Sequence, residues 1–385
     1  MMLVDPEART VAFCQELVRH ESLSGQEKAV ADAVSREMTA LGYDEVHRDE
    51  LGNVIGLVRG GRAGARILFD AHMDVVAATE PEAWRFPPFS GERADGRIWG
   101  RGATDIKGSL AALVVAVGTL PRDELPGTVV VSASVGEERV EGLATTQVLR
   151  RYPARSVVIC EPTGLKLGLG HKGRASLVVE AIGRAAHTSR PENGINAVYR
   201  LIEAIARIRA LPGRTDALLG QGHSELVEVT SRPFPGSSMV PYHATARFDR
   251  RLVRTEDRES VLGDMREALA GLDGVSVDLH QGELRCYTGR AFTVEAFHPG
   301  WAVAPDSEIA RRAGEALERA GLAREFFYAP YCTNGSATAG ELGIPTLIYG
   351  AGDISSAHAV DETVGVGELV AAYRGYQALA RGLAG

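Results

Sequence analysis

Cysteine, lysine and long apolar runs are what this 385-residue sequence has least of. Cys14, Cys160, Cys286 and Cys332 stand far apart with no Cys-x-x-Cys pair, which excludes both a disulfide framework and a thiolate zinc site. Lysine occurs only at 28, 107, 166 and 172, so any anion this protein meets will be met chiefly by arginine. A net charge of −8 argues against nucleic acid or an anionic membrane as partner, since both select a basic surface. No apolar run approaches the ~20 residues of a membrane span. The start, MMLVDPEARTVAFCQELVRHE, carries acids early and lacks the long apolar core of a secretory leader. A reducing cytoplasm is the expected setting.

What is present is a globular composition, 45% hydrophobic and 24% charged, in a chain long enough for two cores. Apolar positions recur at three and four over 7–20 and 26–41, which predicts two helices. From about 53 the pattern changes to short β-rich runs, NVIGLVRG, ARILFDAHMDVV, GTVVVSASV and SVVIC, with helices expected at 108–120 and 142–151. Strands apolar on both faces and alternating with helices predict an α/β fold, a mostly parallel sheet with helices on both faces. Residues 174–283 read differently, as β-α-β-β-α-β with a helix from Asn193 or Gly194 to 209, the order of a ferredoxin-like unit. The α/β pattern then returns, with a helix at 306–320, a strand at 345–350 and a last helix from 366. The expected division is therefore 1–172 and 289–385 for one α/β domain and 173–288 for an inserted α+β lid. No internal repeat or low-complexity segment is evident.

Four short apolar strands each end on a metal-type side chain: ILFDA leads to His72 and Asp74, VVVSASVG to Glu137 and Glu138, VVIC to Glu161, and TLIYGAGDISSA to His358. Asp105, in WGRGATDIKG, precedes a helix. Taken singly these are weak signals, since Asp105 would by default be an N-cap and a pair of loop glutamates is usually solvated. Jointly they are not, because ligands gather at the carboxyl ends of strands in open α/β sheets. Two imidazoles with three carboxylates suit a pair of divalent ions, Zn²⁺ first and Co²⁺ or Mn²⁺ as alternatives. Such a pair can share a bridging carboxylate and bind hydroxide and a substrate carbonyl together. His72 and Asp74 lie on one strand face, so the Asp74 carboxylate can hold the imidazole's spare N–H. Glu137 and Glu138 should point apart, one to metal and one to a proton.

The segments HMD (72–74), GRGATDIKG (100–108), GEE (136–138), CEPT (160–163) and SAHAVDE (356–362) resemble the metallopeptidase and deacylase family of acetylornithine deacetylase, succinyl-diaminopimelate desuccinylase, aminoacylase and carboxypeptidase G. Order and spacing match along almost the whole chain. The resemblance implies that Asp105 bridges two metals, His72 and Glu161 completing one site and Glu138 and His358 the other. Glu137 would then be the general base and acid, with Asp74 behind His72. In the insert, AAHTSRPENGINAV resembles the family's lid motif, whose histidine, here His187, stabilises the oxyanion in a partner subunit's site. MVPYHATARFDRRL resembles its Asp-x-Arg strand, which makes Arg251, and Arg250 beside it, candidates for substrate binding. Asn334, in TNGSATAG, departs from the Asp- or Arg-bearing form of some relatives and is a further candidate.

The expected function is hydrolysis of the amide bond of an N-acyl amino acid by a metal-bridged hydroxide, in a homodimer formed through 173–288. A dipeptidase or carboxypeptidase of the same mechanism is the alternative, and a non-catalytic small-molecule binding protein is the alternative of another class. A nucleotide site at 100–108 is excluded by spacing: Asp105 stands where the third glycine of a dinucleotide fingerprint belongs, and Lys107 follows no glycine.

Overall fold

A computed structural model describes residues 5–385; the first four residues, part of the stretch read above for a leader, lie outside it. The helix Pro6–Val18 starts where its sequence says it should, with Pro6 in the first turn and Asp5 accepting from the Glu7 amide at 3.2 Å. Helix Gly108–Gly118 is apolar all round, and residues 108–117 are all buried. It is covered by Pro6–Val18 and Val366–Leu383 on one side and by the sheet on the other.

The sheet has nine strands. At its centre Pro126–Ser134, Arg62–His72, Ser156–Ile159 and Thr346–Ile348 lie side by side and parallel. Val54–Arg59 on one side and Leu167–His171 on the other are added antiparallel. Four parallel strands thus deliver their carboxyl ends to one edge, and each is followed by one of the residue groups singled out above. Phe69, Val131, Val158 and Leu347 fill the core beneath that edge.

The smaller unit has its own core, built on Leu177, Leu201, Phe248 and Leu262. Its chain order is Gly173–Ile182, helix Ala197–Arg209, His223–Arg232, His243–Leu252, helix Arg258–Ala268, Val275–Leu279. Across the sheet, His223–Arg232 pairs with His243–Leu252, which pairs with Gly173–Ile182, which pairs with Val275–Leu279, all antiparallel. The helix in this unit begins at Ala197, not at 194. Asn196 is the residue whose side chain accepts from the Val198 amide, while Pro191–Asn193 forms a separate tight turn.

The chain enters the smaller unit at Gly173 and leaves it after Val275–Leu279; Phe297–His298 returns to pair with Gly173–Ile182 before Trp301–Ala302 joins the larger sheet, where the units meet. Gly173 sits where they touch: a Cβ there would lie 2.3 Å from the Gly300 nitrogen and the His298 oxygen. The boundary expected at 288 falls inside a hairpin, Gln281–Arg285 with Ala291–Glu295. Leu284 and Cys286 of this hairpin are packed in the larger core, so the hairpin belongs with that core. Among the described residues no helix is long and apolar enough to cross a membrane.

Candidate metal centre and active-site pocket

His72 is the last residue of its strand and is almost wholly buried. Its Nδ1 lies 2.9 Å from the main-chain oxygen of Asp74. A carbonyl can only accept, so Nδ1 carries a proton and Nε2 is the ring nitrogen turned to the pocket. This corrects the expected role of Asp74. Its carboxylate, 3.6 Å from Nδ1, is engaged elsewhere, accepting from the amides of Glu137 at 3.0 Å and Glu138 at 3.1 Å and from the Ser24 hydroxyl at 2.6 Å. Asp74 orients the ring through its backbone and the Glu137–Glu138 turn through its side chain.

Asp105 lies in an irregular turn ahead of helix Gly108–Gly118. Glu362, fully buried, fixes that turn: one oxygen accepts from the amides of Thr104 and Asp105, both at 2.9 Å, and the other pairs with Arg101 at 2.5 Å. The two Asp105 oxygens then face two imidazoles, His72 Nε2 at 3.1 Å and His358 Nε2 at 3.2 Å. His358, whose φ of 60° is unusual for a β-substituted residue, also lies 3.2 Å from Glu138. Glu161 and Glu137 approach His72 Nε2 at 3.8 and 3.9 Å.

Two donor clusters result: His72, Asp105 and Glu161, and Asp105, Glu138 and His358. Within each, one ligand atom per residue lies within 4.8 Å of the others, and Asp105 is common to both. The electrostatics are those of a centre short of positive charge. Burial pushes Glu161 up to about 8. Burial, with Glu161, Glu138 and Glu141 near by, raises Glu137 well above its ordinary value against the opposing pull of His72. Hydrogen bonds to Asp105 and Glu138 push His358 up to about 10. Burial opposes charge on Asp105, yet the hydrogen bonds from His358 and His72 outweigh it and hold its carboxyl low. Two imidazoles and three carboxylates around a shared oxygen pair, without a thiolate, are a donor set that fits two divalent ions.

The pocket over this centre has a volume of about 280 Å³. Arg251 and Arg174 of the smaller unit line it on one side, Tyr331 and Cys332 on another. Asp249 pairs with both guanidinium groups, at 3.0 and 2.9 Å, and Glu141 holds Arg174 at 2.7 Å. Two expected substrate contacts are corrected here. Arg250 points into the smaller unit, where Glu256 at 2.6 Å and Asp264 at 3.0 Å engage it. The sequence held that signal: 244, 246, 248, 250 and 252 share one strand face, and the other four are apolar. Asn334 is 2% exposed; it accepts from the Gly142 amide at 2.6 Å and donates to Asp70 at 2.8 Å. His187 is exposed on the smaller unit, 2.8 Å from the Ser189 hydroxyl, and does not line its own chain's pocket. Glu27, Glu141 and Arg174 carry no sequence signal for the site, and Arg101 and Glu362 lie within the motifs quoted above without an expected role.

Fold and site together define a metallohydrolase of amide or peptide bonds. The chain belongs to peptidase family M20/M25/M40, whose family model matches residues 68–382. It is 30% identical to the uncharacterized protein YgeY of Escherichia coli (strain K12) over 97% of this chain and 94% of that protein. It is 28% identical to succinyl-diaminopimelate desuccinylase of Caulobacter vibrioides over 98% of this chain and 96% of that one. Among solved structures, the M20 family metallo-carboxypeptidase Sso-CP2 of Sulfolobus solfataricus superposes with a TM-score of 0.80 at 18% identity, covering 99% of each chain. The dinuclear metal binding peptidase YXEP of Bacillus subtilis does so with a TM-score of 0.69 at 16% identity, covering 98% of each, and these two likenesses carry the fold.

Proposed function

We propose that this chain is a two-zinc deacylase of small N-acyl amino acids. The observation that carries the reading is the pair of donor clusters sharing Asp105, with one further carboxylate, Glu137, beside them. His72 and Glu161 would hold one ion and Glu138 and His358 the other, with Asp105 on both. When bound, the ions supply Lewis acidity to the attacking water and the scissile carbonyl. Glu137 takes the proton from that water and passes it to the leaving amine. Arg251 offers a guanidinium to the carboxylate of the amino-acid half, and Arg174 stands beside it.

Desuccinylases among the relatives favour a deacylase. Peptidases among the structural neighbours favour a dipeptidase or carboxypeptidase, and the chemistry is common to both. Turnover of N-acetyl and N-succinyl amino acids against dipeptides, with Zn²⁺, Mn²⁺ or Co²⁺ added, decides between them. Hydrolysis of neither class by metal-loaded protein sinks the proposal.

We further propose a homodimer through the smaller unit, in which His187 serves the partner's site. Strand His223–Arg232 is an open edge. Tyr199, Ile202, Val227, Val229 and Phe234 leave large apolar side chains exposed on the same unit. Inactive His187→Ala and Glu137→Ala protomers refolded together should recover about a quarter of wild-type activity, because half the dimers mix and each mixed dimer has one complete site. A mixture that stays inactive beside active refolded controls removes the shared site. A reducing compartment, the cytoplasm, fits the four free cysteines.

A further inference from the structure

The turn Gly136–Glu138 must send two adjacent side chains in different directions, Glu137 toward His72 at 3.9 Å and Glu138 toward His358 at 3.2 Å. Its peptide planes therefore have to be held. Each of its three amides donates to a carboxylate: Gly136 to Glu27 at 3.1 Å, and Glu137 and Glu138 to the two oxygens of Asp74 at 3.0 and 3.1 Å. Both carboxylates are in turn set by one distant segment. The Ser24 hydroxyl donates to Asp74 at 2.6 Å, and the Gly25 amide to Glu27 at 2.9 Å. That segment is itself anchored, the Ser22 hydroxyl to the Met73 oxygen at 2.8 Å and the Val75 amide to the Ser22 oxygen at 2.9 Å. From the other side Leu284 closes on Gly136, where a Cβ would lie 2.5 Å from its methyl group.

Glu27 is fully buried, with one oxygen lacking any partner. A buried carboxylate with a free oxygen is costly. Glu27 is the N-cap of helix Lys28–Ala40, but its side chain makes no capping bond there. On the two-metal reading above, we infer that the segment Ser22–Glu27 is a brace for the catalytic turn, with Glu27 and Ser24 as positioning residues. They set the base Glu137 and the ligand Glu138 without touching substrate or metal.

The test is a Co²⁺ titration of the purified protein, read by calorimetry and by the visible absorption of each bound ion, for wild type, Glu27→Ala, Glu27→Gln, Ser24→Ala and Glu138→Ala. Groups that orient ligands typically change metal affinity 10–100-fold. Glu27→Ala should weaken by about that factor the same binding step that Glu138→Ala abolishes, leaving the other step within about threefold. It should also lower kcat with KM unchanged. Glu27→Gln, whose amide oxygen can accept from Gly136, should restore both. Ser24→Ala should weaken the same step about tenfold, and it decides the matter if Glu27→Ala does not fold. Wild-type titrations of Glu27→Ala and Ser24→Ala overturn the brace, as does an equal loss from both steps that Glu27→Gln fails to restore. A wild type that binds no Co²⁺ overturns the two-metal reading and the brace with it, and the wild-type curve shows that separately.

Discussion

Glu362 offers the sharpest perturbation away from the ligands. Its carboxylate and the Arg101 guanidinium are 0% and 1% exposed, so neither can turn to water if the other is lost. In Glu362→Gln the amide oxygen can still accept from Thr104 and Asp105, but the amide nitrogen then faces Arg101, donor against donor. Breaking one half of a buried pair costs about 3–5 kcal/mol. In urea, with m about 2–3 kcal/mol/M, the midpoint should fall by about 1–2.5 M. Fluorescence follows the right unit, because Trp84, Trp99 and Trp301, the three tryptophans of the chain, all lie outside the smaller one. Trp84 also stacks under Arg101 at 5.3 Å. Metal-free protein should be used, so that loss of ions does not add to the effect. Replacing the whole pair, Arg101→Met with Glu362→Gln, should recover most of the loss, since no unpaired charge remains. A Glu362→Gln midpoint within error of wild type, or a double variant no better than the single one, refutes the reasoning.

Three further outcomes are expected. Glu137→Gln should lose about 10²–10⁴-fold in kcat while keeping wild-type metal stoichiometry by elemental analysis, and near-normal turnover would move the base elsewhere. Arg251→Ala should raise KM for a carboxylate-bearing substrate about 10–100-fold with a smaller change in kcat, the scale of one charged hydrogen bond; an unchanged KM removes Arg251 from recognition. Burial lowers His171 from 6.5 to about 4, so the folded protein resists its protonation and its share of stability is complete above pH 6.5 and lost as pH falls toward 4. Relative to His171→Gln, wild type should lose on the order of 3 kcal/mol across that window, and a pH-independent difference contradicts the assignment.

The parallel centre of the sheet was legible because its strands are apolar on both faces, and most donor residues because His72 ends such a strand while Glu161, Glu137 and Glu138 follow one within four positions. The pieces that were not legible are short or depend on distant partners. Glu92–Ala94, Arg97–Trp99 and Thr363–Gly365 have three residues each, too few for any period to register. The hairpin at 281–295 was divided by the expected boundary, although Leu284 and Cys286 bury into the larger core. The role of Asp74 was assigned to its side chain because alternation on a strand speaks of side chains, whereas its backbone oxygen makes the contact. Glu27 carried no signal at all. Its partner is 109 positions away, and a glutamate at the start of an expected helix is ordinarily a solvated one.

Three carboxylates that touch no ligand atom repeat one device around the centre. Glu362 takes the amides of Thr104 and Asp105, Asp74 those of Glu137 and Glu138, and Glu27 those of Gly25 and Gly136. Each thereby fixes a peptide plane that carries, or adjoins, a proposed ligand or the proposed base. Arginine or lysine could not serve there, because a cation cannot accept from an amide. The choice also has an electrostatic consequence. Arg101 compensates Glu362, and burial pushes Glu27 up to about 7, so the poorly compensated charge is that of the donor carboxylates themselves, which desolvation already disfavours. The nearest buried amine, Lys107, is itself pushed down to about 7 by burial and so supplies a weakened counter-charge. A pair of divalent cations is the charge that such an arrangement attracts most strongly.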